Sequence, residues 1–199
     1  MSTTEQSHEA QRPRLEVIVA STRPGRVGGL IADWFVAEAR AHTGFDVHVS
    51  DLAEINLPLL DEPHHPALRN YTKPHTREWS ATIDAADAVV FVTPEYNHSF
   101  TAPLKNAIDF LVHEWRDKPA AFVSYGGQSS GLRAVTALRP VVSMLGMMAI
   151  NAQVAIPTRQ HVTAERTFHS DPALDAAAKA VLDELARLSP AFKALRAAK

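Results

Sequence analysis

Between Leu15 and Leu188, short apolar runs and helix-period segments alternate five times, a pattern that points to a parallel sheet covered by helices on both faces. The apolar runs fall at residues 15–20, 45–49, 88–92, 120–124 and 147–156. Residues 88–92 (Ala-Val-Val-Phe-Val) are apolar without a break, as in a strand buried on both sides. Residues 45–49 alternate with polar side chains, which places that strand nearer a sheet edge. The spacing predicts helices over 30–40, 76–86, 101–115 and 130–145, with a closing helix over 171–188. On the helix predicted at 101–115, Leu104, Ala107, Ile108, Leu111, Val112 and Trp115 form one stripe. That stripe leaves Phe110 off its centre and Trp115 at an exposed end, surplus aromatic surface of the kind an interface between copies would cover.

With 199 residues, 46 % of them hydrophobic, the chain has enough apolar material for one substantial core. A single domain over 15–199 is expected, preceded by a polar, disordered tail at 1–14. That tail contains no apolar stretch of signal-peptide length, and no later run approaches the ~20 residues of a membrane span, so a cytoplasmic protein is expected. The formal charge is 20 − 22 = −2, which offers no field to collect nucleic acid or an anionic membrane. Cysteine is absent, which excludes disulfides, thiolate metal sites and a cysteine nucleophile together. Redox chemistry in such a chain must come from a bound cofactor.

Six of the eight glycines sit in two places: Gly25, Gly28 and Gly29 after the first strand, and Gly126, Gly127 and Gly131 after the fourth. Both are strand C-terminal ends, where open α/β sheets bind ligands. Residues 21–29 (Ser-Thr-Arg-Pro-Gly-Arg-Val-Gly-Gly) bring two hydroxyls, two guanidinium groups and backbone N–H groups to the start of a helix, the makings of a phosphate cradle. A solvated turn with two surface arginines would use the same residues. The run matches neither the Walker pattern nor G-x-G-x-x-G, so a terminal monophosphate fits better than a triphosphate or a dinucleotide. After the third strand, Pro94, Glu95, Tyr96 and Asn97 could read the polar edge of a planar heterocycle. After the fourth, Ser124, Tyr125, Gly126 and Gly127 would let the backbone approach a flat ring closely.

With the ordered motifs Ser21-Thr22-Arg23-Pro24-Gly25-Arg26, Pro94-Glu95-Tyr96-Asn97, Lys105-Asn106-Ala107-Ile108-Asp109 and Ser124-Tyr125-Gly126-Gly127, the chain resembles the NADPH-dependent FMN reductases. These are flavodoxin-like flavoproteins that include quinone, azo-dye and chromate reductases. The resemblance spans about residues 15–157. It implies a three-layer α/β sandwich with a five-stranded parallel sheet in the order 2-1-3-4-5. It also implies FMN as cofactor, NADPH or NADH as electron donor, a small-molecule acceptor, and a homodimer or homotetramer. By the same resemblance Ser21, Arg23, Arg26 and Val27 would hold the FMN phosphate. Pro94, Glu95, Tyr96 and Asn97 would hold the isoalloxazine and ribityl, and Ser124, Tyr125, Gly126 and Gly127 the other ring edge. Ala20 and Val27-Gly28 stand where family members often carry glycine and a serine or asparagine, which shifts phosphate binding toward Arg23, Arg26 and backbone N–H groups. The redox chemistry belongs to the flavin, so no catalytic side chain is assigned.

Ten histidines include no His-Glu-x-x-His run, and no metal site is assigned. Lys105 and Asp109, one turn apart, read as a surface pair that braces the neighbouring loop. The proline-rich residues 57–73 follow the second strand and are expected to overhang the same sheet edge and shape the acceptor pocket. A flavodoxin-type FMN electron carrier without steady-state NAD(P)H activity is the alternative to a reductase, although such carriers have strongly acidic surfaces. A cofactor-free scaffold on the same fold is the third reading.

Overall fold

The computed structural model describes residues 12–198, so most of the expected N-terminal tail lies outside the described residues. In chain order the elements are β1 (Arg14–Val19), α1 (Gly28–Ala41), β2 (Asp46–Asp51), α2 (Leu52–Ile55), α3 (Pro74–Ala85), β3 (Ala88–Pro94), α4 (Ala102–Asp109), β4 (Pro119–Gly126), α5 (Leu132–Met144), β5 (Met148–Pro157), α6 (Thr158–His161) and α7 (Pro172–Ala197). Short 3₁₀ turns at Pro66–Leu68 and His113–Trp115 complete the set. The five strands form one parallel sheet in the order β2-β1-β3-β4-β5, as the resemblance implies.

The alternating pleat of β3 explains the three layers. Val90 and Val92 face one side with Val17, Val19, Ala121 and Val123, against Ile31 and Phe35 of α1 and Val181, Leu182 and Leu185 of α7. Val89 and Phe91 face the other with Phe122, against Trp79 and Ile83 of α3, Ile108 of α4 and Leu138 of α5. Every residue of β3 is buried, as its unbroken apolar run requires. β2 carries exposed Asp46 and Val49 at the sheet edge.

The structure corrects the helix expected over 101–115. α4 ends at Asp109, and Phe110 and Trp115 are both fully buried. The Trp115 indole packs edge-on against Trp79 and tilted against Phe91, and donates its Nε1–H to the Ile108 carbonyl at 3.0 Å. Burying that ring is worth more than continuing the helix, so periodicity carried the reading past the true end. The surplus aromatic surface expected there does not exist. α7 runs beyond Leu188 to Ala197 through Pro190, and Asp171 caps it by accepting from Leu174 N at 2.8 Å.

Residues 57–73 dock on α4. Asn106 holds them with its side chain, donating from Nδ2 to Pro58 O at 2.6 Å and accepting from Leu60 N at 2.9 Å. Lys105 and Asp109 form an exposed ion pair of 2.6 Å, so the brace is their neighbour rather than the pair. Among the described residues no helix is long and apolar enough to cross a membrane.

Candidate functional site

The sheet order reverses between β1 and β3, and the loops leaving them part at that point. A cleft of about 420 Å³ opens there. From the expected residues it is lined by Arg23, Arg26 and Val27 after β1, by Pro94 at the end of β3 with Glu95 and Tyr96 beyond it, and by Tyr125 and Gly126 of β4. Asn97 and Gly127 are exposed and lie outside this lining, and Ser21 and Ser124 are buried behind it. No residue of 57–73 lines the cleft, contrary to the pocket-shaping role expected of that loop.

The first corner is built around Gly28. A Cβ placed there would stand 2.2 Å from Ser21 Oγ and 2.4 Å from the Tyr125 hydroxyl, so only glycine lets α1 start this close to both. Both hydroxyls are buried, and although they lie close to one another neither makes a well-formed hydrogen bond among the described residues. Leaving a buried hydroxyl unpaired costs about 1–3 kcal/mol, so two together need an explanation. α1 has no side-chain cap and no acidic residue in its first turn, which leaves its N-terminal dipole available to an anion. Burial pushes the Tyr125 phenol above its ordinary range, and the adjacent Ser21 hydroxyl, followed by the positive charges of Arg26 and Arg23, pulls it back. Arg23 is exposed and makes no ion pair among the described residues. Arg26 is committed: its guanidinium meets Asp51 at 2.7 and 2.6 Å and donates to Ser21 O at 2.9 Å.

The second corner is braced by Glu95. Its N–H donates to Tyr125 O at 3.1 Å, joining the exits of β3 and β4. Burial alone would raise the Glu95 carboxyl, but hydrogen bonds from the Ser129 hydroxyl and from the Arg133 side chain and N–H hold it below the usual range. The chain then turns tightly, with Tyr96 and Ser99 exchanging backbone hydrogen bonds of 2.9 and 3.0 Å. Asn97 (φ 50) and His98 (φ 67) both take left-handed backbone in this turn, which leaves Tyr96 exposed on the rim. Ser124 Oγ donates to Ser130 O at 2.9 Å and so shapes the loop from behind. Gly131 (φ 85) lets that loop close over the strand, since a Cβ would lie 2.6 Å from Tyr125 N.

Thr158, Arg159 and Val162 also line the cleft, and sequence reasoning missed them because Pro157 read as an end. Their signal was position, since they follow the C-terminal end of β5 on the same sheet edge as the other loops. Thr158 Oγ1 donates to Gly126 O at 2.9 Å. The segment then returns toward α1, where Arg166 donates to Arg26 O at 2.8 Å and Phe168 packs on Trp34 with ring centroids 5.3 Å apart.

A family profile described as NADPH-dependent FMN reductase matches residues 13–161. An NAD(P)H-dependent FMN reductase of Schizosaccharomyces pombe is 43 % identical over 121 residues, 60 % of each chain. One of Saccharomyces cerevisiae is 33 % identical over 185 residues, covering 84 % of this chain and 96 % of that one. Among solved structures, a flavoenzyme NAD(P)H:(acceptor) oxidoreductase from Paracoccus denitrificans superposes with a TM-score of 0.71 at 20 % identity, over 90 % of this chain and 98 % of that one, a likeness of fold. The cleft fits the cofactor those names imply, because the two orphaned hydroxyls over Gly28 and the uncapped start of α1 suit a terminal phosphate. This chain belongs to the NADPH-dependent FMN reductase family, flavodoxin-like oxidoreductases that work with FMN and NAD(P)H.

Proposed function

We propose that the cleft holds FMN with its phosphate in the Ser21–Gly28 corner and passes electrons from NADPH or NADH to a small, flat acceptor. The observation that carries this reading is the pair of unpartnered hydroxyls, Ser21 Oγ and Tyr125 OH, meeting over Gly28 at the start of α1. The two hydroxyls would donate to the phosphate, Arg23 would add a charge-assisted bond, and the first-turn N–H groups of α1 would complete the cradle. Arg26 and Val27 shape this corner, Arg26 through its bond to Ser21 O. Backbone around Pro94, Glu95, Tyr96 and Asn97 orients the ribityl and one ring edge, and Tyr125, Gly126 and Gly127 face the other edge, with Ser124 fixing their loop. Bound FMN supplies hydride acceptance and donation. Glu95 spends its carboxylate on Ser129 and Arg133, so it holds the loop and transfers no proton.

An open cleft with an aromatic rim at Tyr96 suits planar acceptors. Quinones, azo compounds and free flavin therefore fit better than compact metal oxyanions. We propose a homodimer or homotetramer whose interface includes residues 57–73 beside α4, where Leu59 and Leu68 are 83 % and 69 % exposed. Steady-state oxidation of NADPH by FMN-loaded protein with a soluble quinone tests the activity. Turnover separates a reductase from an electron carrier, and a flavin-loaded protein that NADPH fails to reduce would contradict the proposal.

A further inference from the structure

Three arginines line the cleft, and their partners divide them. Arg26 is neutralised by Asp51. Arg23 stands at the phosphate corner, close enough for its charge to act on the Tyr125 phenol. Arg159, the second residue of α6, is exposed and has no hydrogen bond or ion pair among the described residues. It follows β5, whereas Arg23 follows β1, and β3 and β4 lie between those strands. Three strand spacings put the two strand ends about 14 Å apart, so the two guanidinium groups enter the cleft from opposite sides. The backbone beneath Arg159 is fixed. Thr158 bonds Gly126 O at 2.9 Å, Val162 N donates to Thr158 O at 2.9 Å, and Val162 pairs with Phe168 across an antiparallel bridge. A guanidinium held free on a fixed backbone, at the far end of a cleft whose first phosphate is already provided for, calls for a second anion.

On the reading of the cleft given above, we propose that Arg159 binds a phosphate of the nicotinamide dinucleotide donor. The donor carries negative charge at its pyrophosphate and, in NADPH, at the 2′-phosphate. Either presents oxygens that the planar guanidinium fork can grip with two parallel bonds. Arg159 thus sets donor affinity, and through it the choice between NADPH and NADH if the 2′-phosphate is the group it holds.

The test compares FMN-loaded wild type with Arg159→Ala and Arg159→Lys. Three quantities are read: NADP⁺ and NAD⁺ affinity by calorimetry, KM and kcat with NADPH and NADH, and FMN affinity by fluorescence quenching. The Ala variant should bind NADP⁺ at least about tenfold more weakly and raise KM for NADPH, with kcat and FMN affinity unchanged. The Lys variant should recover part of the loss. A loss confined to NADP⁺ and NADPH identifies the 2′-phosphate, and an equal loss for NAD⁺ and NADH identifies the pyrophosphate. Donor affinities within twofold of wild type would overturn the assignment, as would an FMN affinity that falls by the same factor. Wild-type protein that takes up no FMN would overturn the reading of the cleft as well, whereas flavin-loaded protein indifferent to Arg159 overturns this inference alone.

Discussion

The guanidinium of Arg26 and the carboxylate of Asp51 form a two-pronged pair, 2.7 and 2.6 Å long, that ties the loop after β1 to the end of the edge strand β2. Asp51 also caps α2 by accepting from Ala53 N at 3.0 Å, so one side chain fixes two elements at the sheet edge. Of the two arginines in the loop after β1, one therefore builds the loop and the other is exposed with no ion pair among the described residues.

Replacing Arg23 by Ala should weaken FMN binding by about 1.5–3 kcal/mol, the usual contribution of a charge-assisted bond, and leave the unfolding midpoint of the FMN-free protein in place. Replacing Arg26 by Ala should lower that midpoint as well as the affinity. Flavin titration beside urea unfolding of the same samples checks both. Equal unfolding midpoints for the two variants would contradict the division of labour.

Ser21→Ala removes an orphaned buried hydroxyl, so the FMN-free protein should be as stable as wild type or slightly more so, while FMN affinity falls. Gly28→Ala drives a methyl against Ser21 Oγ and the Tyr125 hydroxyl and should cost both folding stability and flavin. Thermal melts with and without FMN read the two effects separately.

Trp115→Ala should destabilise the fold by about 3–5 kcal/mol, because the ring is fully buried among Trp79 and Phe91. Urea unfolding measures the loss. Oligomer contacts should respond instead to charge on residues 57–73, so Leu59→Glu with Leu68→Glu should reduce the mass seen by light scattering while the monomer stays folded.

Lys118 gives a pH signature far from the cleft. It is buried immediately before β4 and donates from Nζ to the Ile83 and Asp84 carbonyls. Burial lowers its pKa from the usual 10.5 to about 7, and the nearby Arg196 adds to the effect. Between those values the unfolded chain holds a proton that the folded chain has released, so this group makes stability rise with pH from about 7 toward 10.5. Lys118→Met should flatten that slope in urea unfolding series collected across the window. An unchanged slope would show that Lys118 does not titrate there.

Much of the sheet was legible because burial writes itself into composition. The unbroken apolar run of β3 and the polar alternation of β2 told centre from edge, and the clustered glycines marked where strands end. What stayed hidden was set by contacts between distant residues. Nothing local stops α4 at Asp109; the indole of Trp115 does so by folding into the core. The closing helix was expected to stop at Leu188, yet α7 continues through Pro190 to Ala197, with Ser189 bonding back to Leu185 O at 2.7 Å. In the cleft, residue types suggested an anion site but could not tell Arg23 from Arg26, because Asp51 lies 25 residues away in sequence. The contribution of Thr158, Arg159 and Val162 depended on where β5 ends in space.

Titration of flavin-free protein with FMN, followed by NADPH under argon, probes the proposed cradle and the proposed electron transfer together. Saturation is expected at one FMN per chain, with bleaching of the flavin absorbance by NADPH and a markedly weaker flavin complex in Ser21→Ala and Arg23→Ala. Absence of FMN binding by the wild type, or wild-type affinity in both variants, would contradict the proposal.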